Sequence, residues 1–168
     1  MNVNNSFVYP EKHFEIVKNL LNGKFILHNE ELFEVISDNL EFYIDFFQKS
    51  YDYELVKNTE IIYVISSITS EKFSRNIMLV LAVISWEFNR EGKNIYTELD
   101  NKHTIRSIEE LIKKSSFKDS CRGINIDKLF KDAASRNLVL ILDNEKSIKF
   151  TNAINIFLEA AKEIAELE

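Results

Sequence analysis

At 168 residues the chain has length for one ordinary domain or two small ones of about 70–80 residues each. Its 45% hydrophobic content excludes a disordered polymer, and its formal charge of −6 argues against a protein that adheres to nucleic acid over its whole surface. A single cysteine, Cys121, excludes an internal disulfide and supplies no metal-binding spacing, so a reducing cytoplasm is the expected setting.

Met1–Phe7 has neither a basic n-region nor an apolar h-region, and no secretory signal is expected there. The first periodic segment sets Phe14, Val17 and Leu21 on one face, with Asn22-Gly23 as a C-terminal stop. A short strand at Phe25–Leu27 follows, then a helix over Glu30–Ser37 with Leu32, Val35 and Ile36 inward. Asp38-Asn39, with Glu41 three residues after Asp38, reads as a capping-box-like start to a third helix. That helix, Leu40–Tyr51, carries a seam of Leu40, Tyr43, Ile44, Phe47 and Tyr51. A hairpin over 53–66 closes the unit, turning at Asn58-Thr59 between Tyr53–Lys57 and Glu60–Ser66.

The same order then repeats. A long helix, Lys72–Arg90, is stopped at Gly92, and its apolar core Ile77–Phe88 is too short to cross a bilayer and reads as buried. Asn94–Thr97 is the expected counterpart of the first short strand, and Thr104–Ser115 is a helix seamed by Ile105, Ile108, Leu111 and Ile112. A polar loop, Ser116–Asn125, leads to a third helix, Ile126–Arg136, with Ile126, Leu129, Phe130 and Ala133 inward. A second hairpin runs Leu138–Leu142, Asp143-Asn144, Glu145–Phe150, with Ile148 and Phe150 inward and Lys149 outward. Ile154, Phe157, Leu158, Ala161, Ile164 and Ala165 give a final amphipathic helix. Helix, short strand, helix, helix, β-hairpin is the order of a winged-helix module. The expected fold is therefore mainly α with small β-hairpin wings: one winged-helix domain over 10–68, a second over 69–152, and a C-terminal helix over 153–168. Two such small units each bury little alone, so a shared contact or a dimer is expected.

Little in the chain asks to be catalytic. His13, His28 and His103 are dispersed without ligand spacing, so no metal is expected, and no phosphate-cradling or nucleophile-elbow motif is present. The carboxylates Glu30, Glu31, Glu34 and Glu159, Glu163, Glu166 sit on polar helical faces, where a solvated surface is the simpler reading. Cys121 in its polar loop is open to being a nucleophile, although a structural or surface thiol is the commoner arrangement.

The two units differ in charge. Residues 28–60 carry nine acids against Lys49 and Lys57, a net −7, while residues 102–136 carry nine cations against five acids, a net +4. Opposite charge on one repeated fold points to different partners. On the basic third helix Lys128, Lys131 and Ser135 fall away from the seam, with Arg136 at its end. Lys113, Lys114, Lys118 and Arg122 precede it, and Lys146 and Lys149 lie on the wing. These are the candidate DNA contacts, reading phosphate rather than base edges. A merely solvated face stands beside that reading, because Asp127 and Asp132 share the helix. On the acidic third helix Glu41, Asp45, Gln48 and Asp52 would repel phosphate. Phe42 and Phe46 point roughly opposite its seam, either to bury against the other unit or, as favoured, to meet a second protein chain.

Several of these stretches are shared with a known family. Gly23-Lys24-Phe25-Ile26, Leu40-Glu41-Phe42-Tyr43-Ile44-Asp45-Phe46-Phe47, Tyr53-Glu54-Leu55-Val56 and Ile62-Tyr63-Val64 resemble the N-terminal half of MukE-type proteins. Glu91-Gly92, Tyr96-Thr97-Glu98-Leu99, Arg136-Asn137-Leu138-Val139 and Phe150-Thr151 resemble the second half, so that the likeness spans roughly residues 12–158. The resemblance implies a KITE subunit of the MukE and MksE kind. Such a subunit is a tandem winged-helix homodimer without cofactor or enzymatic activity, which grips the kleisin of a bacterial SMC complex and couples it to DNA and the coiled-coil SMC ATPase. The expected location is cytoplasmic, on the nucleoid. The chain is shorter than MukE after its last helix, which leaves open a housekeeping condensin or a plasmid-defence system. A free-standing winged-helix transcription regulator is the competing expectation.

Overall fold

In the computed structural model, residues 8–66, 72–144 and 146–166 are described, with side chains through 160, and the chain divides into two compact units between residues 67 and 68. Each unit begins with a helix closed by the same device. Helix α1 (His13–Leu21) ends where Gly23 takes φ 72°, Gly23 N–H donates to Leu20 and Lys24 N–H reaches back to Asn19. In the second unit α4 (Lys72–Arg90) ends where Gly92 takes φ 71°, Gly92 N–H donates to Asn89 and Lys93 N–H reaches back to Phe88. Both are Schellman stops, in which a left-handed residue lets the next N–H groups satisfy orphaned carbonyls.

The first unit continues with β1 (Ile26–Leu27), α2 (Glu31–Asp38), α3 (Leu40–Tyr51), β2 (Tyr53–Lys57) and β3 (Ile61–Ser66). Its antiparallel sheet has the order β1-β3-β2, with Ile26 opposite Ile62 and Leu55 opposite Val64. The wing turns one residue later than expected. Lys57 pairs with Ile62 and Asn58 N–H donates to Ile61, so Thr59 and Glu60 sit at the apex. The Asn58 side chain accepts from both Glu60 and Ile61 N–H groups, as an Asx turn does.

Ile16, Leu20, Ile26, Leu32, Ile36, Tyr43, Phe47, Leu55 and Ile62 form the first core. The expected α1 face is wrong in phase: Ile16 and Leu20 are buried, whereas Phe14 is 79% exposed and Leu21 lies at the surface. Val17 belongs to both stripes, which is why three-and-four spacing misled. On α3, Tyr43 and Phe47 are buried but Ile44 and Tyr51 are exposed. The seam has rotated toward Phe42 and Phe46, whose half-buried rings lie against this same core rather than on an opposite side. No capping box forms at Asp38 and Glu41. Asn39 occupies the N-cap position of α3, and its amide donates back to the Val35 carbonyl.

In the second unit α4 is followed by α5 (Ile95–Leu99), β4 (Lys102–Thr104), α6 (Ile105–Lys114), a 3-10 turn (Lys118–Cys121) and α7 (Ile126–Ser135). The chain then runs through β5 (Val139–Leu142), β6 (Ser147–Phe150), a 3-10 turn (Asn152–Ile154) and α8 (Asn155–Glu166). The expected strand at Asn94–Thr97 is instead the start of α5, because the Asn94 side chain caps the Tyr96 and Thr97 N–H groups. The true counterpart of β1 is β4, and the sheet order β4-β6-β5 repeats that of the first unit. In the second wing Lys146 N–H donates to Asp143, which therefore closes the turn instead of forming its apex. Thr104 and Asn125 cap α6 and α7 through Ser107 N–H and Lys128 N–H.

The second core gathers Ile77, Leu81, Ile84, Ile108, Ile112, Phe130, Leu138 and Ile148, with Ile126, Leu129, Ala133 and Phe150 buried as expected. Helix α8 packs on α4, where Phe157 meets Phe73 edge-on and the Tyr96 hydroxyl donates to Glu159 at 2.7 Å. Ala161, Ile164 and Ala165 lie outside the described side chains.

Candidate nucleic-acid and partner surfaces

Helices α6 and α7, the loop between them and the second wing carry the basic candidates. Lys113, Lys118 and Arg122 line one open cleft of about 750 Å³ together with Glu109, Asp119 and Asp127. Lys113 and Lys146 line an adjoining cleft with Arg106, Glu109, Glu110 and Asp127. Each cleft therefore holds three cations against three carboxylates. Lys128 stands in a third groove beside Lys72 and Asp132.

Other candidates are committed to local structure. Lys131 pairs with Asp127 at 3.3 Å one turn away, and the Ser135 hydroxyl donates to the Asp132 carbonyl. Arg136 caps α7 with its guanidinium 4.4 Å above the Phe73 ring, so it braces α7 on α4. Lys149 projects outward on β6 opposite Lys102, which is paired with Asp143. The Lys102 ammonium, then the Ser147 hydroxyl, hold the Asp143 carboxyl below its usual range. Lys114 is exposed at the end of α6. The arrangement is a mixed-charge surface with a cationic rim, and Lys72 and Arg106 are additions that spacing on the third helix could not reveal.

In the first unit Phe42 and Phe46 are joined by Tyr9 and His13 in one aromatic cluster. The His13 ring stacks on Tyr9 at 4.4 Å and meets Phe46 edge-on at 4.9 Å and Phe42 at 5.6 Å. Desolvation pushes the His13 pKa down, and among the described residues its Nδ1 has no hydrogen-bond partner. Tyr9, which also meets Phe42 edge-on and is itself exposed, carries this cluster to the surface. Sequence reasoning missed Phe14 as a surface residue because it was assigned to the core.

The remaining chemistry-bearing residues are scattered. His28 sits 3.5 Å from Glu60, and His103 Nε2 lies 2.6 Å from the Glu98 carbonyl. Among the described residues no cluster of His, Cys, Asp or Glu is arranged to hold a metal ion. Glu30, read as solvated, is half-buried and accepts from Leu27 N–H at 2.8 Å and from Lys24 at 3.0 Å. Cys121 is buried, and burial pushes its thiol pKa up, which disfavours a thiolate nucleophile. Among the described residues no helix is long and apolar enough to cross a membrane.

Two helix–strand–helix–helix–wing units on one chain, one acidic and one with a cationic rim, define a tandem winged-helix protein. The family described as condensin complex protein MksE matches residues 11–162, nearly the whole chain, and the protein belongs to that family of condensin-type complex subunits. No curated protein matches the chain.

Proposed function

We propose that this protein is a non-catalytic KITE subunit of a bacterial SMC–kleisin complex, working in the cytoplasm on the nucleoid. It forms a homodimer, binds the kleisin subunit and, with the coiled-coil SMC ATPase, helps the complex hold DNA without sequence preference. Its programme is chromosome organisation and segregation or plasmid and phage defence. The family match over 11–162 carries this reading. The domain division at 10–68, 69–152 and 153–168 is part of the proposal, each winged unit presenting its own partner surface.

The structure supports a division of labour between the units. An acidic α3 repels phosphate, so the first unit suits protein partners, through Phe42 and Phe46 and the exposed Tyr9 that packs with them. The cationic rim of the second unit suits phosphate, while the carboxylates in both clefts keep the attraction weak. A transcription regulator would use a basic recognition helix in each protomer, and an acidic α3 does not serve that role.

The test is co-expression with a kleisin and a coiled-coil SMC ATPase of a condensin-type complex from the same genome. A stable ternary assembly is expected, and its weakening by Tyr9→Ser in a protein that stays folded would support the aromatic surface. Failure to co-purify with either partner would overturn the reading. The purified subunit is expected to hydrolyse no nucleotide, and turnover abolished by a mutation in this chain would count against it.

A further inference from the structure

The outward side of α4 and the loop after α6 carry an aromatic corner. Trp86 is 50% exposed and Phe117 45% exposed, and the two rings meet edge-to-face at 5.1 Å with an interplanar angle of 84°. The corner is held rigidly from beneath. Glu87, 1% exposed, accepts from Arg90 at 2.6 Å and 2.9 Å and from the Ser115 hydroxyl. Ser115 in turn accepts from Phe117 N–H through its Oγ and from Lys118 N–H through its carbonyl, so the loop that presents Phe117 is fixed onto α4. Two large rings are thereby kept half in water by design of the loop, with their orientation already set.

The charge around them selects the ligand. Residues 113–122 carry four cations against Asp119 alone, and Lys114 and Lys118 flank Phe117 in exposed positions. Glu87, next to Trp86 on α4, is buried and paired with Arg90. An exposed aromatic pair, with exposed lysines three residues before and one residue after Phe117, matches the chemistry of an unpaired base with its phosphates: the base stacks on the ring and the backbone tracks the cations. A duplex keeps its bases stacked on one another and offers this corner only phosphate. An apolar protein segment would leave the lysines without partners. We propose that the Trp86–Phe117 corner is a binding site for single-stranded nucleic acid, one unpaired base stacking on Trp86 with flanking phosphates on Lys114 and Lys118. This rests on the reading that the 113–122 loop faces DNA.

Trp86 is the only tryptophan of the chain, so its emission reports directly on the site. The full-length protein is titrated at low salt with an oligo(dT) of about 16 nucleotides, the upper range of a single-module site. Saturable quenching is expected, reversed by added salt and absent with a duplex of the same length. Phe117→Ala, and separately Lys114→Glu with Lys118→Glu, should each weaken the oligomer about tenfold, within the range of losing one stacked base or its phosphate contacts. Trp86→Ala, followed by the anisotropy of a labelled oligomer, should show a comparable loss. No saturable quenching, or equal quenching by duplex, overturns the proposal. So does an emission change that tracks protein concentration without nucleic acid, which would mean that a second copy covers the rings. Failure of the SMC-complex reading shows instead in co-purification, so the two are separable.

Discussion

Two ionisable side chains make stability depend on acidity in separate windows. His13 is enclosed by Tyr9, Phe42, Tyr43 and Phe46, and desolvation holds its pKa below the ordinary 6.5. Below 6.5 the unfolded chain takes up a proton that the folded chain refuses, so stability falls as pH drops from there toward the folded value, then levels. Glu87 is held below its ordinary 4.5, first by the Ser115 hydroxyl and then by Arg90. Its contribution is complete above 4.5 and is lost as pH falls beneath that value. Thermal melts followed by circular dichroism across pH should show both declines. His13→Phe should remove the upper one and Glu87→Gln the lower; a Glu87→Gln variant with a steeper acid decline would contradict the sign. Neither residue announced this in the sequence, since desolvation and a Ser115 partner 28 positions away arise only on folding.

The helices were legible because they carry both period and punctuation. Leu40–Tyr51 opens after Asn39 and Lys72–Arg90 stops short of Gly92, signals that the sequence shows directly. Errors came where one residue type admitted two roles. Asn94 reads as the first residue of a short strand but caps α5, and the strand forms instead at Lys102–Thr104. Phe14, Val17 and Leu21 have valid helical spacing, but the face through Ile16 and Leu20 buries more completely. At the end of α4, Gly92 has φ 71° and open space where a Cβ would stand, so only backbone conformation resists substitution. Gly92→Ala should therefore cost about 1 kcal/mol by chemical denaturation. Gly92→Asn should cost less, because Asn137 already adopts φ 63° in the equivalent stop after α7. Equal stability of the alanine variant would argue that the stop is not built on the left-handed residue.

Across the molecule, the repeat was visible from the two Gly-Lys stops and the paired hairpins, and the contrast in charge from simple counting. How that charge is arranged was not, because Glu109 of α6 and Asp127 of α7 come into one cleft with Lys118 and Arg122 only on folding. The isolated subunit should consequently bind duplex DNA weakly, with log affinity falling about 0.9 per neutralised phosphate against log salt. Within the assembled complex, Lys128→Glu with Lys131→Glu should reduce DNA retention while sparing assembly; tight, salt-resistant binding of one palindrome by the subunit alone would favour a regulator.

The two small sheets also leave unlike borders. Strand β2 ends its sheet with Glu54 and Lys57 pointing outward, charges that discourage a stray strand from adding on. Strand β5, Val-Leu-Ile-Leu from 139 to 142, ends the other with Leu140 48% exposed and no charge of its own, and among the described residues it pairs only with β6. Heat or dilution from its partners should therefore bring chains together through the second wing first, an aggregation route that the first wing forbids. Leu140→Lys should suppress light scattering during slow heating with little change in the melting midpoint, whereas scattering that persists unchanged would locate the sticky border elsewhere.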